Sequence, residues 1–207
     1  MTGPTRREQQ AQERRNQLID TALALFAEKG LDATTVKDVA EAAGVAQGLI
    51  YHYFRSKEEL FYAVIERDNP LPQVRELMAA ISCRPAVEAL PELATQAYAL
   101  MQSKRLLLRM VLREALTHPE VLGRVGILRE RGFALLAGYL ATRVAAGELR
   151  PHDTEAAAIS FLTPLFVLNL LGLPGEPFLS AMVENLLRGI AAPPAPADEA
   201  PGGGGRA

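Results

Sequence analysis

The sequence lacks most of the features that mark secreted, metal-dependent or catalytic proteins. Its single cysteine, Cys83, excludes an intrachain disulfide framework and any cysteine-based zinc finger, and it fits a reducing cytoplasm. Neither His118 nor His152 has a sequence partner that would make it a metal ligand or a catalytic base. Clustered carboxylates, a nucleophile with a base and a phosphate loop are also missing. We therefore expect no enzymatic activity, no metal and no cofactor.

Strand patterns, a secretory signal and an excess of positive charge are missing as well. The 207 residues are 49% hydrophobic and 22% charged, enough to bury a core as one domain or two. The N-terminal stretch is polar and charged through residue 17, which argues against a signal peptide and for a cytoplasmic protein. Net charge is −2, and residues 1–60 hold eight basic against nine acidic residues, which does not favour a strongly basic nucleic-acid binder.

Apolar residues recur at intervals of three and four, so we predict an all-α fold. Helix 1 runs from about residue 7 to Lys29, and Thr35 is the N-cap of helix 2. Ser56 and Glu59 form a capping box that begins a further helix, which ends near Asn69. Later helices are predicted over about 73–81, 85–102, 104–116, 119–146, 153–173 and 177–190. The low-complexity tail, residues 193–207, is predicted to be disordered.

Residues 34–60 are the most informative segment. Their apolar positions flank a glycine at helical spacing: Val36, Val39, Ala40, Ala43, Val45, Leu49, Ile50 and Phe54. The small Ala40 allows two helices to approach, Gly44 permits a turn between them, and Ile50 locks the second helix onto the first. No acidic residue occurs from Gly44 to Lys57. This pattern predicts a helix-turn-helix whose second helix presents a polar, aromatic face to a nucleic acid.

Each side chain on that face has a predicted role. Tyr51 and Tyr53 cannot both be buried beside the core positions, so their hydroxyls can bond phosphate oxygens. Gln47 is the best candidate for a base edge, because its amide both donates and accepts. Lys57 lies beside a helix N-terminus, where phosphate is also favoured. The full set of candidate DNA-binding residues is Thr35, Val36, Lys37, Ala46, Gln47, Gly48, Leu49, Tyr51, His52, Tyr53 and Lys57.

The segment resembles the DNA-binding region of the TetR/AcrR transcriptional regulators, whose signature has the form T-x-x-x-I-A-x-x-A-G-V-S-x-G-x-x-Y-x-Y-F-x-S-K-E-x-L. The matching residues are Thr35, Val39, Ala40, Ala43, Gly44, Val45, Ala46, Gly48, Tyr51, Tyr53, Phe54, Ser56, Lys57, Glu58 and Leu60. Ala46 replaces a frequent serine, so the second helix lacks a side-chain N-cap. Leu49 replaces a polar residue, which favours an apolar contact such as one to a thymine methyl group.

The resemblance implies two functional units. A three-helix DNA-binding domain would span residues 1–55, with a basic arm over 1–8, and a helical ligand-binding and dimerisation domain would span 56–192. Residues 153–190 would pair with a second copy, so that a homodimer reads a palindromic double-stranded operator. Residues 156–175 carry no charge, which reaches membrane-spanning length. Polar residues and a proline interrupt this run, so we expect a buried or interfacial helix and no membrane partner.

A ligand cavity is expected between the later helices. Its candidate lining residues are Tyr98, Met101, Met110, Phe133, Phe161, Phe166 and Asn169, although ordinary core packing explains any one of them. Arg105, Arg109 and Arg113 could accept an acidic ligand or form a solvated helix face. Four glycines in the predicted helix 119–146 suggest close helix approach or a deformable pocket wall: Gly123, Gly126, Gly132 and Gly138.

The predicted function is ligand-controlled repression of transcription by a small, largely apolar effector. The effector would favour a conformer whose DNA-binding helices are wrongly spaced, with the fourth helix carrying the motion. Two alternatives remain open at this stage. The chain could be a ligand-binding or adaptor protein with a non-functional helix-turn-helix, or a helical enzyme. The sequence does not distinguish a repressor from an activator, and it does not identify the effector or the operator.

Overall fold

In the computed structural model, which describes residues 5–176 and 178–190 but not the side chains of 122 and 127–129, the fold is all-α, as predicted. The ten helices are α1 (Arg6–Lys29), α2 (Val36–Ala43), α3 (Gln47–Tyr53), α4 (Lys57–Asp68), α5 (Leu71–Ile81), α6 (Ala86–Ser103), α7 (Arg105–Ala115), α8 (Pro119–Ala145), α9 (Thr154–Leu171) and α10 (Phe178–Ile190). Their ends lie within about two residues of the predicted ends. The predicted disordered tail, 193–207, lies outside the described residues.

Side-chain caps begin several of these helices. At α2 the Thr35 hydroxyl accepts from the Asp38 amide and the Asp38 carboxylate accepts from the Thr35 amide, a complete capping box. The box predicted at α4 is only half formed. Ser56 Oγ accepts from the Glu59 amide at 3.1 Å, but the Glu59 carboxylate accepts from the Arg55 amide at 2.7 Å. Glu59 thus ties the end of the α3–α4 loop to α4.

The helices pack around two hydrophobic cores. The head core is formed by α1–α4 together with parts of α7 and α8, and its large buried side chains include Phe26, Ile50, Phe54, Phe61 and Met110. The body core is formed by α5, α6, α8, α9 and α10, around residues that include Leu90, Leu136, Leu140, Phe161 and Leu165. The long helix α8 therefore belongs to both.

The head core does not stop at residue 55. Leu60, Phe61 and Val64 of α4 are fully buried in it, and α4 packs against α1 and α7. A domain boundary at 55/56 stays a prediction, but a cut there would expose the apolar face of α4 that covers the head core.

Helix α9 is apolar yet poorly buried. Within the described ranges it is the only helix long and apolar enough to cross a membrane by length and composition, with mean hydropathy 1.5 and 28% of its residues buried. The α8 glycines do not mark a close helix approach within one chain. A Cβ built at Gly123, Gly126, Gly132 or Gly138 would meet nothing within 4 Å among the described side chains and backbone. That part of the sequence interpretation was wrong, because these glycines face open space.

Candidate nucleic-acid interface and ligand cavity

Residues 36–53 fold as two short helices around a left-handed turn. Gly44 adopts φ 65° and ψ 37°, a conformation that costs glycine little, and the Val45 amide donates to Ala40 O at 3.0 Å across the turn. Ala40 is 3% exposed and Ile50 is 1% exposed, so the small residue and the branched residue meet inside the head core. The helix-turn-helix is thus held by the three residues that its sequence pattern singled out.

The outer face of α3 is not covered by any of the described residues. Gln47, Gly48 and His52 are exposed, Tyr51 is 52% exposed, and Gly48 faces open space. Tyr53 is half-buried, and its ring meets the His52 ring at a centroid distance of 5.1 Å. Tyr51 is therefore the more accessible of the two predicted tyrosines.

The start of α3 has no side-chain cap. Ala46 occupies the N-cap position in extended conformation, so no side chain accepts from the first amides of α3. Ala46 is exposed and Leu49 is half-buried. Uncapped amides at an exposed helix start are donors that suit a phosphate oxygen.

The start of α2 is more constrained than expected. The Thr35 hydroxyl donates to Asp38 Oδ2 at 2.7 Å, so in this arrangement it has no proton left for a phosphate. This side-chain bond, followed by the bond from the Thr35 amide, holds the pKa of Asp38 below its ordinary value. Val36 is half-buried against the head core, and Lys37 is exposed with Nζ 3.7 Å from Glu41 Oε1.

Lys57 is engaged inside the protein. Its ammonium donates to Leu31 O at 2.6 Å and to Asp32 O at 3.3 Å, which ties the start of α4 to the α1–α2 loop. An ammonium has three donors, so one remains for a phosphate. The sequence shows the charge of Lys57 but not its two carbonyl partners, which lie about 25 residues away along the chain.

Two residues near the end of α7 hold the same loop from the other side. Arg113 donates to Glu28 O at 3.0 Å and to Lys29 O at 2.8 Å. The carboxylate of Glu114, which is 3% exposed, accepts from the Leu31 amide at 3.0 Å. We call Arg113 and Glu114 the α7 clamp, because they fix the C-terminal end of α1 and the loop leading to α2.

His118 lies against this clamp. Its Nε2 lies 3.5 Å from Glu114 Oε2 and 3.5 Å from Asp32 Oδ2, and its Nδ1 lies 3.4 Å from Glu120 Oε1. Sequence reasoning gave His118 no partner that would make a metal site or a catalytic base; Glu114 and Glu120 are close in sequence, whereas Asp32 comes from a distant part of the chain. Even so, no group of His, Cys, Asp and Glu in the described residues could hold a metal ion.

A cavity of about 210 Å³ opens where α6 ends, α7 begins and α9 ends. Its lining residues are Tyr98, Gln102, Arg105, Asn169, Gly172, Leu173 and Pro174. Tyr98 Oη donates to the carbonyl of Leu173. Asn169 is 2% exposed, and neither Nδ2 nor Oδ1 finds a hydrogen-bond partner among the described residues.

The seven predicted ligand residues do not form one pocket. Tyr98 and Asn169 line the cavity, whereas Met110 is fully buried in the head core and Phe161 in the body core. Met101 packs at the edge of the body core, and Phe133 and Phe166 are half-buried outside the lining. Met110 and Phe161 are packed as core residues in this structure, so a ligand-binding role for them stays a prediction. Gln102, Arg105 and Gly172 line the cavity, and of these only Arg105 had a sequence signal.

A second depression, of about 410 Å³, lies between α1, α4 and α8. Arg15 stands 5.1 Å above the Phe54 ring and Arg124 stands 3.9 Å above the Tyr62 ring. Both guanidinium groups are thus already matched to aromatic faces, and Glu59 and Glu66 also line the depression. These contacts join the head helices to α8.

Two family models match the chain. The model of bacterial regulatory proteins, tetR family, matches residues 18–64, and the model of the AefR-like transcriptional repressor, C-terminal domain, matches residues 88–167. The first range contains the helix-turn-helix and most of the head core. The second contains most of α6, all of α7 and α8, and most of α9.

Curated relatives match over only part of the chain. The HTH-type transcriptional repressor KstR2 of Rhodococcus jostii is 44% identical over 80 residues, which is 37% of this chain and 39% of the relative. The HTH-type transcriptional regulator AcrR of Shigella flexneri is 43% identical over 58 residues, 28% of this chain and 27% of the relative. The chain thus matches well under half the length of these relatives.

Solved structures match over most of the chain. The ketosteroid transcriptional regulator KstR2 of Mycobacterium tuberculosis has a TM-score of 0.67 and 25% identity, covering 87% of this chain and 96% of that chain. The TetR family regulator PfmR of Thermus thermophilus has a TM-score of 0.68 and 24% identity, covering 83% of this chain and 97% of that chain. The second likeness concerns the fold alone.

Proposed function

The chain belongs to the tetR family of bacterial regulatory proteins, and on that premise we propose that it is a homodimeric, DNA-binding transcriptional repressor released from its operator by a small effector. The observation that carries the proposal is the exposed outer face of α3, held on a helix-turn-helix whose other face is buried. As a regulator of bacterial transcription it would act in the cytoplasm, as a binding protein and not as an enzyme.

The proposed DNA contacts divide between base and backbone. Gln47, at the start of α3, would reach a base edge in the major groove, and the exposed Tyr51 would bond a phosphate. His52, Tyr53, Leu49 and the open surface at Gly48 would lie against the groove walls. The uncapped amides that follow Ala46 would donate to a phosphate oxygen at the helix start.

The residues of α2 and α4 would contribute unequally to DNA binding. Lys37 is exposed and free to leave Glu41 for a phosphate, because an exposed pair of this kind is weak. Thr35 and Val36 mainly shape the start of α2 and place Lys37. Lys57 mainly holds the α1–α2 loop, and only its remaining proton would reach the DNA backbone.

The proposed dimer forms through α9 and α10. Large apolar side chains on and between these helices are exposed in the single chain: Ile159, Val167, Leu171, Leu173 and Phe178. Contiguous exposed apolar surface of this kind marks an interaction site. Pairing of residues 153–190 with a second copy would bury this surface and place two α3 helices on successive major grooves of a palindrome.

The effector would act through α7. This helix begins at the cavity with Arg105 and ends at the α7 clamp, and it packs against α1 and α4 on the way. A ligand that moved the start of α7 would therefore shift the α1–α2 loop as well as α4. DNA affinity would fall only by the ligand's preference between the two states.

A mobility-shift titration on the promoter DNA beside the protein's own gene tests the proposal. We expect a shifted band in the wild type, since the α3 face is accessible. Gln47→Ala should change the preference between operator sequences, by about 1–3 kcal/mol at the contacted base, whereas Tyr51→Phe should weaken all sequences alike.

Gln73→Ala on α5 is the matched control, because that glutamine is exposed far from the helix-turn-helix. It should leave the band unchanged. Absence of any band at low salt would reject DNA binding and would favour the alternative of a ligand-binding protein with a non-functional helix-turn-helix.

A further inference from the structure

The side-chain amide of Asn169, in the last turn of the apolar helix α9, is unusual because it is buried without a partner among the described residues. Asn169 is 2% exposed, and both its amide donor and its acceptor lack partners among the described residues. Buried polar groups are nearly always hydrogen-bonded, because an unmet bond loses the full hydration of the group. Asn169 lines the cavity, so a molecule in the cavity is the available source of those bonds.

Arg105 supplies the charge in the same cavity. A Cβ built at Gly172 would lie 2.5 Å from Arg105 Nη2, so the guanidinium is seated where a side chain at 172 would otherwise be. No carboxylate belongs to the seven described residues that line the cavity. The guanidinium therefore meets the cavity as a cation without a counter-charge in the wall.

We propose that this cavity binds a small carboxylic acid that carries a hydroxyl or amide N–H group next to its carboxylate. A guanidinium matches a carboxylate with two parallel N–H donors, which gives the ligand both charge and orientation. Asn169 Nδ2 donates to the same acid, and Asn169 Oδ1 accepts from the neighbouring hydroxyl or N–H group. One ligand of this class thus satisfies both atoms of the buried amide.

The size and lining of the cavity restrict the ligand further. A volume of about 210 Å³ is below the roughly 300–1,000 Å³ of pockets for drug-sized ligands, so the acid is small. Gln102 adds a polar group to the wall, while Leu173 and Pro174 offer a limited apolar surface. The site is therefore more polar than the largely apolar effector expected from sequence would require.

The inference deepens the proposed function, since this acid would be its effector. Arg105 is the first residue of α7, and the clamp that holds the α1–α2 loop lies at the other end of that helix. An acid bound to Arg105 therefore contacts the element that reaches the DNA-binding helices.

Binding of small acids to the full-length dimer, measured by calorimetry and thermal denaturation without DNA, tests the site. The probes are lactate, mandelate and N-acetylalanine, each compared with its uncharged amide. We expect at least one acid to bind and to raise Tm, with its amide about 10- to 100-fold weaker because the charged bond to Arg105 is lost. If no acid binds, or if acid and amide bind equally, the proposal is overturned.

Three variants assign the binding to the cavity. Arg105→Gln should weaken binding of the acid by about 10- to 100-fold. Arg109→Gln should leave acid binding unchanged, because Arg109 is exposed on the same helix and lies outside the cavity lining. Asn169→Leu should abolish binding while leaving the ligand-free Tm unchanged or higher, because it removes an unpartnered buried amide. A lower ligand-free Tm with unchanged acid binding would show that Asn169 is only structural and would reject its assigned role.

Failure of this site and failure of the proposed function give different results. If the acids do not bind but the mobility shift is retained, the protein is a DNA-binding regulator with another effector. If an acid binds at Arg105 without changing DNA affinity, the site exists but is not the effector site. Loss of the mobility shift alone rejects the regulator and leaves the acid site standing.

Discussion

The head core and the α9–α10 region both contain apolar helix faces, but these faces are buried to different extents within one chain. In the head, Phe26, Ile50 and Phe61 are each at most 1% exposed, and all are covered by helices of the same chain. In α9 and α10, Leu171 is 64% exposed and Phe178 is 45% exposed. The head is complete within one chain, whereas α9 and α10 are not.

Polar groups show a similar difference, although His118 Nε2 beside the head also lacks a hydrogen-bond partner among the described residues. Thr35, Asp38, Lys57 and Glu114 in and around the head all have partners within the chain. Asn169 of α9 has none among the described residues. On the proposed function, the part that would touch DNA is preformed, while the remainder would gain its missing contacts from a second copy and a ligand. Regulation is therefore expected to act on the body and to reach the head through α7.

The largest effect should come from charges placed on the exposed α9 face. Val167 and Leu171 are four residues apart on α9, and both are exposed. The double variant Val167→Glu/Leu171→Glu should be monomeric in sedimentation and should lose about 100-fold or more in operator affinity, because the second half-site no longer binds intramolecularly. Val87→Glu on α6, where the valine is 64% exposed, is the control and should remain dimeric. A dimeric double variant would remove the main difference between the two regions.

A large effect is also expected in the head core. Phe61 is fully buried against Phe26, with ring centroids 5.5 Å apart, so Phe61→Ala should lower the free energy of unfolding by about 3–5 kcal/mol. Chemical denaturation measures this loss, and Phe61→Leu should recover much of it by filling part of the cavity. The variant should lose operator binding yet remain dimeric in sedimentation. Loss of the dimer would mean that the head and the α9–α10 region do not fold separately enough to be compared.

Local patterns allowed the helix-turn-helix and most helix ends to be predicted from sequence. Ala40, Gly44 and Ile50 act within one turn and two short helices, so their spacing alone carries the geometry. The contacts of Lys57 and Glu114 were not predictable, because their partners in the α1–α2 loop lie 25 or more residues away. Thr35 was identified as a cap, but the use of its only proton by Asp38 requires coordinates.

The ligand cavity was the least predictable part. Asn169 lies in a run of uncharged residues. A polar residue in such a run can equally well interrupt the apolar pattern or belong to a binding site. Its proposed role depends on Tyr98 of α6 and Arg105 of α7, which lie beside the C-terminal end of α9. Tyr98 lines the cavity, but the other aromatic and methionine candidates lie outside its lining, for the opposite reason. Helical spacing identifies buried residues such as Met110 and Phe161, but it does not distinguish a core from a cavity wall.

The connection between the two regions should have an intermediate effect. Glu114→Ala would leave the buried Leu31 amide without an acceptor, so we expect a loss of about 1–3 kcal/mol in the free energy of unfolding. Glu114→Gln keeps an oxygen for that amide and should recover most of the loss. Operator affinity of the alanine variant should fall although it touches no DNA, since the loop leading to α2 is released. An unchanged operator affinity would mean that the α7 clamp does not influence the position of the DNA-binding helices.

The smallest effect concerns the cap of α2. Thr35→Ala removes the N-cap bonds that begin the helix, and we expect it to lower stability by about 1 kcal/mol at neutral pH. The pKa of Asp38 is lowered in the folded protein, chiefly by the Thr35 hydroxyl, so the folded state binds fewer protons than the unfolded state near that pKa. The stabilisation is therefore full above the ordinary value of 3.8 and is lost as pH falls through the lower folded value.

Denaturation of wild type and Thr35→Ala between pH 7 and pH 3, as far as both remain folded, should show the difference shrinking only at the acidic end. Thr5→Ala removes the same kind of box from α1, where residues 5–14 are exposed, and should cost less because that helix start is free to fray. Equal losses at the two caps would show that the start of α2 is no better fixed than a free helix end. The head would then be less preformed than its buried core indicates, and part of its order would have to come from the DNA.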